Sequence, residues 1–94
     1  MIEKCYRISG RVQGVGFRFW AVRTVVSVGG ISGYIGNLLD GDVLILLAGE
    51  EDKINTIKQH LYQGPLFARV DRITDTPELK SYFPPIENGV LKRI

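Results

Sequence analysis

Apolar and polar residues alternate from Tyr6 to Val12, with Tyr6, Ile8 and Val12 on one parity and Arg7, Ser9 and Arg11 on the other. That is the period of a half-buried strand. The pattern then changes. Phe17, Trp20, Ala21, Thr24, Val25 and Val28 recur at three- and four-residue spacings and run into Gly29-Gly30, which predicts a helix with a glycine stop. Val22, Val25, Val26 and Val28 are stiff at χ1 and weak helix formers, so propensity alone reads the segment as strand just as readily. Residues 31–37 and 42–49 predict a second and a third strand, joined through Leu38, Leu39 and Asp40-Gly41. Asp-Gly between two strand-like runs is a strong hairpin signal.

Glu50, Glu51 and Asp52 follow, placing negative charge in the first turn of a helix whose apolar stripe is Ile54, Ile57 and Leu61. Gly64-Pro65 ends it, and a fourth strand is expected over residues 67–73. The tail over 75–94 carries Pro77, Pro84 and Pro85, and the pattern assigns it no element. The order β-α-β-β-α-β is that of an α+β, ferredoxin-like sandwich, an antiparallel sheet with two helices on one face. Such a superfold hosts many functions and specifies none of them. One stretch does not fit a sheet covered on one side: VLILL at 43–47 is apolar on both parities and points to a second covering surface.

Ninety-four residues with 45% apolar content fit one domain, 1–94, with a single modest core. The net charge of +2 is far from the basic excess that announces a nucleic-acid or membrane partner. Cys5 is the only cysteine, which excludes an intrachain disulfide and a thiolate metal cluster and suits a reducing compartment. With no signal-like stretch and no apolar run of membrane-spanning length, a cytoplasmic protein is the expectation.

The candidate chemistry lies in GRVQGVGFR at 10–18, where three glycines fall in seven positions and an arginine follows. A loop that leaves a strand and enters a helix exposes unpaired N–H groups at the helix start, oriented as an anion needs them. Gln13, Gly14, Val15, Gly16 and Phe17 would form that cradle, the glycines removing side chains that would hold a ligand off the backbone. Arg18 adds a planar, permanently charged clamp for two oxygens. Phosphate is the anion this describes, yet the loop matches neither GxxxxGK[ST] nor GxGxxG.

GRVQGVGFR, GYIGNLLDG at 33–41 and QGPLFARVDRI at 63–73 together resemble the acylphosphatase family, which pairs GxVQGVxFR with a later G[WY]xxN and a DG hairpin. The resemblance implies hydrolysis of an acyl phosphate, with Arg18 binding phosphate and Asn37 orienting the attacking water. It implies no cofactor and no metal. The partners it implies are a small-molecule acyl phosphate and inorganic phosphate or sulfate as a product-like ligand, with no nucleic acid and no membrane. The chemistry suits the residues. An acyl phosphate expels a carboxylate, whose conjugate acid has a pKa of about 4, so no general acid has to help it leave. Neither motif holds a His, Cys or Lys. Two features depart from the family pattern: VGGISG at 28–33 is one residue longer than the usual LGLxG, which would shift Asn37 relative to Arg18, and no closing FxI strand is evident in YFPPI.

Other readings compete. His60 and Cys5 stand without partners at metal-ligand spacing, and Phe17 and Trp20 read as core. A catalytically degenerate module that binds phosphate or a protein is one alternative. An RNA-binding domain is another, since GVGFRFW at 14–20 superficially resembles the glycine-aromatic octamer of RNA-recognition motifs. That octamer belongs on the third strand, however, and here it precedes the first helix. The acyl group and the oligomeric state are not specified by the sequence.

Overall fold

The computed structural model describes residues 1–87 and 91–94. The chain forms β1 (Ile2–Arg11), α1 (Phe17–Val28), β2 (Ser32–Asn37), β3 (Val43–Gly49), α2 (Glu51–Gln63), β4 (Arg69–Asp75), a 3₁₀ helix (Pro77–Tyr82) and β5 (Leu91–Arg93). The expected β-α-β-β-α-β order is present, and the strands stand in the order β4-β1-β3-β2-β5. β1, β3, β2 and β4 are antiparallel neighbours, while β5 joins β2 in parallel. The closing strand missing from YFPPI is therefore LKR at the end of the chain. Residues 88–90, part of the tail to which the pattern assigned no element, lie outside the described residues. β4 begins at Arg69 rather than at 67, because Ala68 N–H bonds back to Pro65 and keeps the turn after α2 closed for longer.

The valine-rich segment is helical. Phe17, Ala21 and Val25 are buried at four-residue intervals and face the sheet, so tertiary burial overrides the weak propensity of its valines. α2 repeats the arrangement with Ile54, Ile57 and Leu61. Against these two stripes the sheet presents Tyr6, Ile8, Ile35, Val43, Ile45 and Leu47, all buried.

The other parity of β3 explains the doubly apolar run. Leu44 and Leu46 belong to a second core with Cys5, Tyr34 and Phe83 on the opposite face of the sheet. The covering surface is the tail. Thr76 N–H donates to the Cys5 carbonyl at 2.8 Å, Tyr34 Oη donates to the Pro85 carbonyl at 2.7 Å, and the Tyr34 and Phe83 rings stack with centroids 5.6 Å apart. Burial pushes the Cys5 thiol up from its usual value, a hydrogen bond with Thr76 partly offsetting this. The proline-rich segment that defeats a strand assignment thus serves as a cover through Phe83, Leu79 and Ile86, since a segment lying across a sheet needs no ladder N–H groups.

Candidate active site

β1 ends at Arg11, and the next five residues carry the chain into α1. Gly14 and Gly16 sit at φ 73° and φ 78°, the left-handed region that a Cβ disfavours, and Gly16 is the residue that caps α1. An added Cβ at either would meet nothing within 4 Å, so glycine is required there by backbone conformation and the space above the loop stays open. Gly16 already accepts the first helical bond from Trp20 N–H at 3.0 Å, and its side-chain position offers no cap for the next amides. The first turn of α1 holds no acidic side chain either. Its first amides thus have no side-chain cap, the arrangement that suits an anion.

A cavity of about 150 Å³ opens at this loop, lined by Gln13, Gly14, Gly16, Arg18, Asn37 and Arg93 among others. Compared with the roughly 30 Å³ that one water occupies in the liquid, this is room for a four-oxygen anion and one further water. Larger grooves exist, including one of about 620 Å³ beside Pro77, Phe83 and Pro85 on the other face of the sheet, but that one lacks both a glycine loop and an arginine. Arg18 and Asn37 line the same cavity despite the extra residue before Gly33, and Gly29 and Gly30, both at positive φ, carry the connection from α1 into β2.

The residues approach the cavity from distant parts of the chain. Arg18 Nη1 donates to the main-chain oxygen of Ile94 at 2.8 Å, and Ile94 N–H is in turn bonded to the Ile35 carbonyl at 2.7 Å. The strand pair β2–β5 therefore carries both Asn37 and the acceptor that orients Arg18. Asn37 closes β2 opposite Val43, and its buried side-chain oxygen has no hydrogen-bond partner among the described residues. Leaving such an acceptor unpaired costs about 1–3 kcal/mol, which a working site retains when the atom has a task with ligand or water.

Gln13 lines the cavity, yet its side chain is committed elsewhere. Its Nε2 donates to the Leu38 and Asp42 carbonyls at 2.8 and 2.9 Å, tying the β2–β3 hairpin to the loop. Arg7 grips the same hairpin through Asp42, at 2.7 Å, and Asp40, and Ser9 Oγ donates to Asp42. The hairpin that positions Asn37 is thereby anchored from two sides. Sequence reasoning missed Arg93, the second cation on the cavity, because it lies in the tail whose strand was not legible. Two adjacent basic residues, Lys92 and Arg93, were the only signal there.

The acylphosphatase family model matches residues 4–83. The chain belongs to the acylphosphatase family. It is 44% identical over 70 residues to an acylphosphatase of Nitrobacter winogradskyi, covering 74% of this chain and 70% of that protein. With an acylphosphatase of Clostridium perfringens it shares 44% identity over 75 residues, covering 80% of this chain and 83% of that one. Among solved structures, the acylphosphatase from Bacillus subtilis superposes with a TM-score of 0.82 at 26% identity, covering 100% of this chain and 99% of the other. The acylphosphatase match includes the loop, the hairpin and the back cover as far as Phe83.

Proposed function

We propose that the chain hydrolyses acyl phosphates to a carboxylate and inorganic phosphate, with the phosphoryl group cradled by Gln13 to Phe17, clamped by Arg18, and attacked by a water that Asn37 orients. The observation that carries the reading is the shared cavity: left-handed glycines at a helix start, an arginine and Asn37, whose buried side-chain oxygen has no partner among the described residues, line one volume of anion size. Phosphoryl transfer of this kind needs its equatorial oxygens stabilised and its nucleophile held in line, which backbone amides, one guanidinium and one carboxamide supply.

The water forms the new P–O bond while the acyl-oxygen–phosphorus bond breaks, its electron pair leaving with the carboxylate. One proton of the water passes to the phosphate, so an acyl phosphate dianion and water become a carboxylate and dihydrogen phosphate. Asn37 accepts a hydrogen bond from the water and takes no proton. Gln13 is a positioning residue as well as part of the cradle, since its amide holds the hairpin next to the loop. Residues 1–94 act as one domain, the five strands among the described residues sharing one sheet. A cytoplasmic site of action accords with a lone thiol kept buried; no helix among the described residues is long and apolar enough to cross a membrane. The RNA-binding alternative loses its platform, because the sheet face opposite the helices is covered by Tyr34, Phe83 and the tail.

The test compares benzoyl phosphate with a phosphomonoester. Rapid turnover of the first, little of the second and no effect of a chelator are expected, because only the first has a leaving group that departs unprotonated. Equal rates on both, or loss of activity with chelator, would overturn the reading. Phosphate binding without turnover would instead support the degenerate module.

A further inference from the structure

A second groove shares a wall with the phosphate cavity and has no part in the mechanism above. It measures about 520 Å³ and is lined by Gly16, Phe19, Trp20, Arg23, Thr24 and Pro65, among others; Gly16 and Phe19 line the phosphate cavity too. From Gly16 to Thr24 the helix advances eight residues, about 12 Å, so the groove leads away from the cradle along the outer side of α1. Its other wall is the turn after α2, seated against the start of α1: a Cβ on Gly64 would lie 3.5 Å from the Phe17 ring.

The direction matters for the chemistry. α1 packs against β2, β5 and α2. Asn37 and Arg93, from β2 and β5, line the phosphate cavity and not the groove, whereas Pro65, after α2, lines the groove and not the cavity. An in-line displacement puts water and leaving group on opposite sides of phosphorus. With water held from the β2 side, the acyl group leaves toward the groove.

Its lining has a definite character. Phe19 is 57% exposed and offers its ring to the groove together with the partly buried Trp20. Trp20 stands next to it, its ring tilted on Phe17 at 5.7 Å. The Arg23 guanidinium lies over the Phe19 ring at 5.8 Å and has no carboxylate partner among the described residues, in contrast to Arg7 and Arg69, each paired with aspartate. Flat apolar surface thus comes first, and an unneutralised cation beside it.

The geometry points to this groove as the acyl-group subsite, taking acyl phosphates whose acyl part is flat and apolar next to the carboxyl carbon and carries a second negative charge within reach of Arg23. The inference rests on the proposed acyl phosphate hydrolysis and names the substrate class for that site. Phe19 and Trp20 supply contact area, and Arg23 selects the distal anion. Arg18 and the loop recognise the phosphoryl group alone.

The experiment measures kcat/KM for acetyl, benzoyl and 4-carboxybenzoyl phosphate in the wild type, Phe19→Ala and Arg23→Gln. Wild type is expected to rank them in ascending order. Phe19→Ala should lower the benzoyl-to-acetyl ratio on the order of tenfold, the scale of discrimination that apolar pocket contacts provide. Arg23→Gln should lower the 4-carboxybenzoyl-to-benzoyl ratio severalfold, and added salt should do the same in the wild type because the contact is exposed and screened. Both side chains are exposed, so both variants should fold, and inorganic phosphate inhibition of Arg23→Gln checks that the cradle is intact. Ratios unmoved in both variants would overturn the subsite while leaving acyl phosphate hydrolysis standing. Absence of turnover on all three substrates would overturn both.

Discussion

The two walls of the phosphate cavity are built in different ways. One is the loop from Gln13 to Arg18, whose residues other than Val15, which packs on the core, line the cavity and whose shape follows from two left-handed glycines and a helix start. The other brings Asn37, at the end of β2, together with Arg93 on β5 and the main-chain oxygen of the adjacent Ile94, which lie far from Asn37 along the chain. The first wall is local backbone geometry; the second exists only when β5 has joined β2 in parallel and the tail has covered the back of the sheet. On the proposed roles, binding of the anion and placement of the nucleophile depend on different parts of the fold, and the two should be separable by mutation.

The largest effect should come from breaking the loop wall. Arg18→Ala is expected to abolish measurable phosphate binding and to lower kcat about 10³-fold or more, the scale of an arginine acting on transition-state charge. Arg18→Lys should not restore it, since a point charge cannot reproduce the two-pronged guanidinium. Calorimetry with inorganic phosphate beside steady-state kinetics with benzoyl phosphate measures both quantities. A variant that still bound phosphate normally would move the clamp elsewhere, with Arg93 the first candidate.

Breaking the opposite wall should leave binding intact. Asn37→Ala is expected to lose on the order of 10²- to 10³-fold in kcat, as when one preorganised hydrogen-bond group is removed, while phosphate Kd stays within about twofold. Unchanged kcat would withdraw its role in orienting water.

Gln13 joins the two walls. Gln13→Ala removes both bonds to the hairpin carbonyls, so kcat should fall about tenfold, through misplacement of Asn37, with phosphate Kd little altered. Loss of binding without loss of kcat would show that the side chain serves the cradle directly. Arg93→Ala should weaken phosphate binding only severalfold and only at low salt, because an exposed cation is screened; titration at two ionic strengths resolves this.

The smallest effect on turnover and the largest on stability are expected at the same residue. Phe83 is 6% exposed and packs beneath Tyr34, with a ring atom 3.6 Å from where a Cβ on Gly36 would stand, next to Asn37. Phe83→Ala should cost roughly 3 kcal/mol by cavity formation, a fall in Tm of more than about 10 °C, with kcat at low temperature nearly unchanged. A large kcat loss in the folded variant would mean that the back cover tunes the site and does not merely support it.

The legible and illegible parts of the chain divide along the same line as the walls. Alternation in Tyr6–Val12 and the helical spacing of Ile54, Ile57 and Leu61 report burial directly, because both periods come from local backbone geometry. α1 was ambiguous by propensity, and its valines became helical only because Phe17, Ala21 and Val25 have a sheet to face. The doubly apolar VLILL signalled that a second cover was needed, yet nothing in it said what the cover was. Phe83 and the Pro84-Pro85 segment supply it through packing and a single tyrosine hydrogen bond, neither of which has a period.

What the sequence by itself determined is the glycine loop proposed as the anion cradle and the order of the elements around it. Glycines that must adopt positive φ, an arginine at a helix start and strand or helix periodicities are properties of a few neighbouring residues, written where they act. What only the tertiary structure decided is the completion of the site. A three-residue strand such as β5 has too little pattern to be read alone, and its parallel pairing with β2, the Arg18–Ile94 contact and the convergence of Asn37 and Arg93 on one cavity follow from burial of surfaces that lie far apart in the chain. Their stability comes from non-local contacts, and these exist only once the whole sheet is assembled.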